Sequence, residues 1–440
     1  MENNEKKHFY TNKELRKIAS ENFKTMKIFE KRKKKRIPES EYLTKMRDDK
    51  NIIEIENLHT YFFTDAGTVK AVNGVSFDIP EGSVVGVVGE SGCGKSVTSL
   101  AIMRLVQAPQ GQIVEGSIKF KSSDFIYDEK GKPVPDYETD GDGNIIYEEV
   151  KDKDGAVKKD KNGNAVKKPL QKKDEHGFPK FKRQPKVFDI AKMPIHEMRK
   201  IRGKEISMIF QEPMTSLNPV FTIGNQLDET VLVNNPGVTN AQAKQHSIDM
   251  LNQVGIAMPK SVYNKYPHEL SGGMRQRVMI AMALSCNPKL IVADEPTTAL
   301  DVTIQAQILD LLKKLKDKIN GSIMLITHDL GVIAGMADYV VVMYAGRVIE
   351  KGTVYDIFDH PMHPYTVGLQ KSKPVVNKDI EWLYSIPGNV PNPINMPDYC
   401  YFKDRCNKRC AKCDGKYPEL IKVSETHSVA CHLYEETKDE

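Results

Sequence analysis

Gly-Glu-Ser-Gly-Cys-Gly-Lys-Ser, residues 89–96, lies between an apolar run at 84–88 and a predicted helix at 97–105. Glycines at this spacing allow consecutive backbone N–H groups to turn inward around phosphate oxygens. Lys95 would then reach the β- and γ-phosphates, and the hydroxyl of Ser96 would ligate Mg²⁺. The segment therefore predicts a nucleoside triphosphate site, but it does not distinguish an ATPase from a kinase or a GTPase.

Two further segments add chemistry to this site. The apolar run at 290–293 predicts a strand that is followed directly by Asp294 and Glu295. Asp294 would hold Mg²⁺, usually through water, and Glu295 is placed to polarise an attacking water. Ser-Gly-Gly at 271–273 opens a predicted helix, where Ser271 is a natural N-cap and the free N–H groups form an anion site. In this order after a phosphate loop, the segments indicate one particular kind of ATPase.

Length, composition and charge restrict the class of protein. The 440 residues are enough for two or three domains, and a hydrophobic content of 40% suits an ordinary soluble core. No apolar run approaches the roughly 20 residues that span a bilayer, and the charged N-terminus is unlike a signal peptide. We therefore expect a cytosolic chain. The net charge of +5 is mild, but residues 31–36 form a dense basic block. This block predicts a solvated helix face, with an anionic lipid surface or nucleic acid as alternatives.

The composition changes several times along the chain. One stretch, rich in Lys, Asp, Glu and Gly with recurring turn-like units, predicts small exposed β-hairpins or disorder. Part of it, residues 138–149, matches much of a calcium-loop template, but helical flanks are missing and a solvated acidic turn is the preferred interpretation. The predicted organisation is a charged N-terminal extension at 1–50, a nucleotide-binding domain at 51–350 with a charged insertion at 121–186 and a helical subdomain at about 212–288, and a C-terminal region at 351–440.

The motifs together resemble the nucleotide-binding subunit of an ABC transporter, over roughly residues 51–120 and 190–350. The resemblance implies an α/β P-loop NTPase cassette with a RecA-like core, an antiparallel β subdomain and a helical signature subdomain, followed by an irregular cysteine-containing C-terminal domain. It implies an ATPase whose catalytic residues are Glu295, His328, Gln211 and Lys95, with Mg²⁺ held by Ser96, Gln211 and Asp294. The residues implied in ATP binding are Phe62 on adenine with Tyr61 as alternative, Gly89, Ser91, Gly92, Gly94, Lys95, Ser96, Val97, Ser271, Gly273, and Asp301 of the Ala299-Leu300-Asp301 D-loop.

The resemblance also implies partners. Cassettes of this family pair head to tail, so Ser271 and Gly273 would bind the ATP held by the partner's phosphate loop. Three segments, at 211–219, 274–277 and 360–366, resemble oligopeptide, dipeptide or nickel permease ATPases, and the first two resemble the D-type subunit. The implied partners are a second ABC ATPase, commonly in a heterodimer, two transmembrane permease subunits and an extracellular substrate-binding protein, with no nucleic acid. The implied location is the cytoplasmic face of the cell membrane, as a peripheral protein.

Five of the seven cysteines lie in the C-terminal region, and in a cytosolic chain such a cluster suggests metal rather than disulfides. From spacing alone, Cys410 and Cys413 form a C-x2-C knuckle that suggests zinc together with His427, Cys431 or His432. The permease resemblance passes over Cys410 and implies a 4Fe–4S cluster instead. The four ligands that it implies are Cys400, Cys406, Cys413 and Cys431. Thiolates suit iron–sulfur or Zn²⁺, and free thiols are the third possibility.

The predicted function is ATP-driven import of oligopeptides or dipeptides through a membrane permease. Nickel or another small solute is the alternative cargo. A non-transport ABC ATPase that acts on nucleic acid or ribosomes is a rival from another class, which the basic block at 31–36 would allow. A regulatory metal-binding protein that merely senses ATP is a further rival. The single cassette, the absence of a long heptad pattern and the presence of Glu295 and His328 favour the transport ATPase.

Overall fold

Two compact units make up the fold. The structure is a computed structural model that describes residues 11–33, 35–152, 155–212, 216–297, 301–372 and 384–438. The first unit combines Met1–Lys121, Val187–Ser216 and Asn287–Glu440, and the second combines Ser122–Lys186 with Leu217–Cys286. The charged insertion and the predicted helical subdomain therefore belong to the same unit.

Helices and strands alternate along most of the described chain. The α-helices are α1 Asn12–Lys33, α2 Lys95–Ile102, α3 Ile223–Asn234, α4 Asn240–Gln253, α5 Pro259–Tyr263, α6 Gly272–Leu284, α7 Val302–Ile319, α8 Leu330–Met336, α9 Val354–Asp359 and α10 Pro364–Lys371. The strands are β1 Leu43–Thr44, β2 Asn51–Thr64, β3 Gly67–Pro80, β4 Val84–Val88, β5 Gly111–Phe125, β6 Tyr147–Glu149, β7 Lys167–Pro169, β8 Arg183–Asp189, β9 Ile206–Ile209, β10 Leu290–Asp294, β11 Ser322–Ile326, β12 Tyr339–Tyr344, β13 Arg347–Thr353, β14 Ile421–Lys422 and β15 Ser428–Val429. No helix among the described residues is long and apolar enough to cross a membrane.

An eight-stranded sheet in the first unit positions the phosphate loop. Its strand order is β14-β15-β13-β12-β4-β11-β10-β9, and the neighbours from β12 to β9 are parallel. All five residues of β4, β10 and β11 are buried, as expected for apolar strands covered on both faces. The parallel strands bring their carboxyl ends to one edge of the sheet, where ligands bind in open α/β folds. Strands β14 and β15, close to the C-terminus, extend the opposite side of the same sheet.

A second, antiparallel sheet has the order β1-β8-β5-β2-β3. The N-terminal helix α1 lies against its strands β2 and β3. Phe29 stacks on Phe63 with ring centroids 6.1 Å apart, and the Asn22 amide donates to the Thr64 carbonyl at 2.7 Å. The predicted charged extension is thus held to this sheet by a few specific contacts.

Helix α7 shows how the sequence pattern fixes an element of the first unit. Asp301 caps its N-terminus by accepting a hydrogen bond from the Ile304 backbone N–H at 2.9 Å, and Asn320 ends it in the left-handed conformation. The buried residues Ile308, Leu312 and Leu315 recur at a spacing of three or four and form the apolar face of the helix.

The insertion in the second unit forms successive β-hairpins, which is one of the two alternatives that the sequence predicts. Each hairpin turns at an Asp-x-x-Gly segment whose glycine has a φ between 72° and 84°. In most of these turns the aspartate carboxylate accepts backbone N–H groups two and four residues further on, as Asp140 does from Asp142 and Asn144. Strands β6 and β7 pair across two of the hairpins. The turn-forming aspartates are Asp128, Asp140, Asp152, Asp160 and Asp174.

Candidate active site

The phosphate loop joins the end of β4 to the start of α2. Its glycines adopt backbone conformations that side chains rarely reach, with φ of 78° at Gly92 and 98° at Gly94. A Cβ atom at Gly94 would lie 2.3 Å from the carbonyl oxygen of Ala71, so a larger residue cannot fit without moving the backbone. Lys95 is buried, and its ammonium donates to the carbonyls of Gly89 at 2.7 Å and Glu90 at 3.1 Å. The loop carbonyls therefore hold the Lys95 ammonium, which must break these two hydrogen bonds to reach a phosphate.

A serine pair and a buried carboxylate form the corner where Mg²⁺ is expected. The hydroxyl of Ser96 donates to one oxygen of Asp294 at 3.0 Å, and Ser99 donates to the other at 3.2 Å. Burial raises the pKa of Asp294, the two serine hydrogen bonds partly oppose this effect, and neighbouring Glu295 adds to the increase. Sequence reasoning missed Ser99, although its position three residues after Ser96 on α2 places both on one helix face.

Three of the four predicted catalytic residues meet at the carboxyl edge of the sheet. Gln211 follows β9, Glu295 follows β10 and His328 follows β11. The Glu295 carboxylate accepts a hydrogen bond from the Gln211 amide at 3.1 Å and lies 3.5 Å from Nδ1 of His328. The backbone of Glu295 has a φ of 46°, an uncommon conformation for this residue that is typical of functional sites. Its N–H donates to the Ile326 carbonyl at 2.9 Å, which holds the backbone of Glu295 at the end of β11.

The two candidates for stacking on adenine are held differently. The Tyr61 hydroxyl donates to Asn73 at 2.7 Å and lies 2.9 Å from Nδ1 of His59. Phe62 packs its ring edge beside Gly111, where a Cβ atom would approach the ring to 2.8 Å. The hydroxyl of Tyr61 is thus engaged in a polar network with Asn73 and His59, whereas the ring of Phe62 lies beside Gly111.

The predicted signature residues lie in the second unit, at the start of α6. Ser271 is the N-cap and accepts a hydrogen bond from the Met274 backbone N–H at 3.3 Å. Ser271 and Gly272 are exposed and Gly273 is partly exposed. The helix N-terminus therefore presents backbone N–H groups to solvent, as the sequence predicts for an anion site. Of the predicted D-loop, Asp301 caps α7, while Ala299 and Leu300 lie outside the described residues.

The C-terminal cysteines lie close together. The sulfur atoms of Cys410 and Cys413 are 3.6 Å apart, and the Cys400 backbone N–H donates to the Cys413 carbonyl at 3.1 Å. Burial raises the pKa of Cys400 to about 12 and that of Cys431 to about 11, and the other cysteine thiols add to both increases. Among the described residues, however, no group of three or more Cys, His, Asp or Glu side chains is arranged to hold a metal ion.

Comparison with known proteins places this site in a family. The family model described as ABC transporter matches residues 72–137 and 144–298, and the model of the oligopeptide/dipeptide transporter C-terminal region matches residues 349–413. The chain is 45% identical to the oligopeptide transport ATP-binding protein AppD of Bacillus subtilis, over 88% of this chain and 97% of that protein. The chain belongs to the ABC transporter ATPase family.

Two further relatives of this ABC ATPase align with a similar share of the chain. The dipeptide transport ATP-binding protein DppD of Bacillus subtilis is 40% identical over 88% of this chain and 95% of its own length. A dipeptide transport ATP-binding protein of Lactococcus lactis, also named DppD, is 41% identical over 86% of this chain and 90% of its own length. The predicted α/β cassette fold and ATP hydrolysis as the activity are confirmed by this membership.

Proposed function

We propose that this ABC ATPase supplies the energy for import of short peptides through a membrane permease. The observation that carries the proposal is the cluster of Glu295, Gln211 and His328 beside the Ser96–Asp294 pair. The cluster supports the assignment of a carboxylate base, two polar groups and an Mg²⁺ corner to the γ-phosphate side of the site. Such an arrangement serves hydrolysis rather than nucleotide binding alone.

The residues then divide the tasks of the reaction, and Gln211 serves two of them. Ser96, Asp294 and Gln211 would hold Mg²⁺, which would supply positive charge to the phosphates. Glu295 accepts a proton from the attacking water, while Gln211 and His328 orient that water. Lys95 leaves the loop carbonyls and balances the charge that develops on the transferred phosphoryl group. Phe62 stacks on adenine, with Tyr61 as the alternative.

Peptide cargo and partners are inferred from the relatives' names and the C-terminal family match. By the same inference, the signature segment of a second cassette would complete the site, while Ser271 and Gly273 of this chain serve the partner's ATP. We infer a heterodimer with a second ABC ATPase, two transmembrane permease subunits and an extracellular binding protein. The complex would hold this chain at the cytoplasmic face of the membrane.

Reconstitution tests this proposal. The purified assembly, placed in lipid vesicles with its binding protein, should accumulate a labelled oligopeptide or dipeptide only when ATP is supplied. Nickel accumulation without peptide accumulation would show that the transported solute is nickel rather than a peptide. Co-purification of the native chain with ribosomes or DNA, and not with hydrophobic permease subunits, would contradict the transport function.

We also infer that the C-terminal thiols hold a 4Fe–4S cluster, with Zn²⁺ as the alternative. Four cysteine thiolates suit either metal. Among the described residues these side chains form no group that holds a metal ion, so they would have to turn toward a common centre and lose their protons on binding. Iron, sulfide and zinc analysis of anaerobically purified protein decides between them. Cys400→Ser, Cys406→Ser, Cys413→Ser and Cys431→Ser should each lower the metal content. Cys410→Ser is the matched control and should leave it unchanged, and loss of metal from this control would assign the ligands differently.

A further inference from the structure

The phosphate loop of this ATPase carries a carboxylate, Glu90, at its second position. The Glu90 carbonyl accepts a hydrogen bond from the Lys95 ammonium, which is the group that must reach the phosphates. A carboxylate on the phosphate loop would repel a bound polyphosphate, because like charges oppose each other at short range. The loop therefore needs a compensating cation other than Lys95.

Arg405, which is 315 residues away in sequence, provides that cation. Its guanidinium donates to both Glu90 oxygens, at 2.8 Å and 3.1 Å, in the paired geometry that binds carboxylates most strongly. The Arg405 side chain is only 7% exposed, so solvent screens this ion pair far less than a surface pair. A guanidinium keeps its positive charge in proteins, so Arg405 is a permanent cation beside Glu90.

The surroundings hold Arg405 in one position. Its Nε donates to the Pro387 carbonyl at 2.9 Å, and one terminal nitrogen donates to the Tyr344 hydroxyl at 3.3 Å. The Glu90 backbone is fixed as well, because its N–H donates to the hydroxyl of the fully buried Tyr365 at 2.8 Å. Both members of the pair are therefore fixed by contacts that do not depend on their charges.

We propose that Arg405 is a positioning residue for ATP binding, which neutralises Glu90 and holds the phosphate loop ready for the polyphosphate. The proposal rests on the function proposed above for the Lys95 loop. It goes beyond it by assigning part of the nucleotide site to the C-terminal region, next to Cys406.

Binding of methylanthraniloyl-ATP with Mg²⁺ to the full-length chain tests the proposal. Arg405→Gln should weaken binding about tenfold, the scale of one lost charge-assisted hydrogen bond. Glu90→Gln alone should not weaken it. The double variant should recover to within about threefold of the unchanged protein, since neutral side chains no longer repel the phosphates. Arg409→Gln is the matched control, because Arg409 pairs with the exposed Asp404 and Asp414 outside the loop.

Two outcomes would overturn the proposal. One is unchanged binding by Arg405→Gln, and the other is a double variant as weak as Arg405→Gln, which would indicate a merely structural loss. Thermal melting without nucleotide shows whether each variant is folded. If Arg405→Gln does not fold, Glu90→Gln still tests the proposal, because weaker nucleotide binding by Glu90→Gln would contradict charge neutralisation. Lys95→Ala distinguishes failure of the role proposed for Arg405 from failure of the phosphate-loop assignment. If Lys95→Ala binds nucleotide normally, the phosphate-loop assignment itself is wrong.

Discussion

Replacement of Glu295 by glutamine is the most direct test of the hydrolysis mechanism. The amide has nearly the same shape as the carboxylate, and its oxygen can still accept the hydrogen bond that Gln211 donates at 3.1 Å. What it loses is the ability to accept a proton from water. The change therefore isolates the general base and leaves the surrounding geometry in place.

The expected loss follows from what a positioned base contributes. General base catalysis supplies about 10²–10⁴ in rate, or about 3–5 kcal/mol of the activation barrier. Binding of ATP and Mg²⁺ should persist, because Lys95, Ser96 and Asp294 are unchanged. Since the negative charge of Glu295 contributes to the raised pKa of Asp294, its removal should leave the Mg²⁺ corner no weaker than before.

Steady-state ATP hydrolysis by the purified assembly, with nucleotide binding measured on the same preparation, provides the assay. Glu295→Gln should lower turnover at least a hundredfold and leave nucleotide affinity within about a factor of two. Glu419→Gln, which alters an exposed carboxylate 3.8 Å from Lys416, is the control and should have no effect. Residual turnover above about a tenth would refute Glu295 as the base, because a mere orienting group contributes less than a proton acceptor.

Three further predictions concern the loop, the adenine and the buried histidine. Gly94→Ala should abolish nucleotide binding, since the added methyl would collide with a backbone carbonyl at 2.3 Å, and equilibrium binding measures it. Phe62→Ala should weaken ATP binding about tenfold while Tyr61→Ala changes it little, and the reverse order would assign stacking to Tyr61. Burial lowers the pKa of His363 to about 4. The unfolded chain therefore binds a proton between pH 6.5 and 4 that the folded chain does not, so stability should be lost as pH falls through this window, by an amount on the order of 3 kcal/mol. Denaturant unfolding of His363→Asn should show a flatter pH profile.

Local sequence patterns predicted the secondary structure around the candidate nucleotide site. Lys95 and Ser96 open α2, Ser271 caps α6, and Glu295 follows β10 as expected. Each of these placements depends on a few consecutive residues whose turn or cap chemistry has one favourable geometry. The convergence of Gln211, Glu295 and His328 was predicted only through the family resemblance, because 84 positions separate Gln211 from Glu295.

Contacts between segments that are distant in sequence could not be predicted from sequence patterns. Nothing in the motif pattern marks Arg405 as the partner of Glu90, because an ion pair across 315 positions leaves no spacing signal. The insertion shows the same limit at shorter range. Its Asp-x-x-Gly turns were visible as local units, whereas the pairing of Tyr147–Glu149 with Lys167–Pro169 depends on how the hairpins fold back.

The C-terminal region is part of the ATPase core rather than an appended domain. Glu350 on β13 is fully buried, and its carboxylate accepts backbone N–H groups from Met362 and His363 and lies 2.8 Å from Nε2 of His427. A buried carboxylate without such partners would be strongly destabilising. Glu350 on the core sheet therefore depends on hydrogen bonds from later residues of the chain, namely Met362, His363 and His427. The Arg405–Glu90 ion pair likewise connects the C-terminal region to the phosphate loop. Two carboxylates, the fully buried Glu350 and the partly exposed Glu90 of the phosphate loop, thus bind the cysteine-containing region to the nucleotide site.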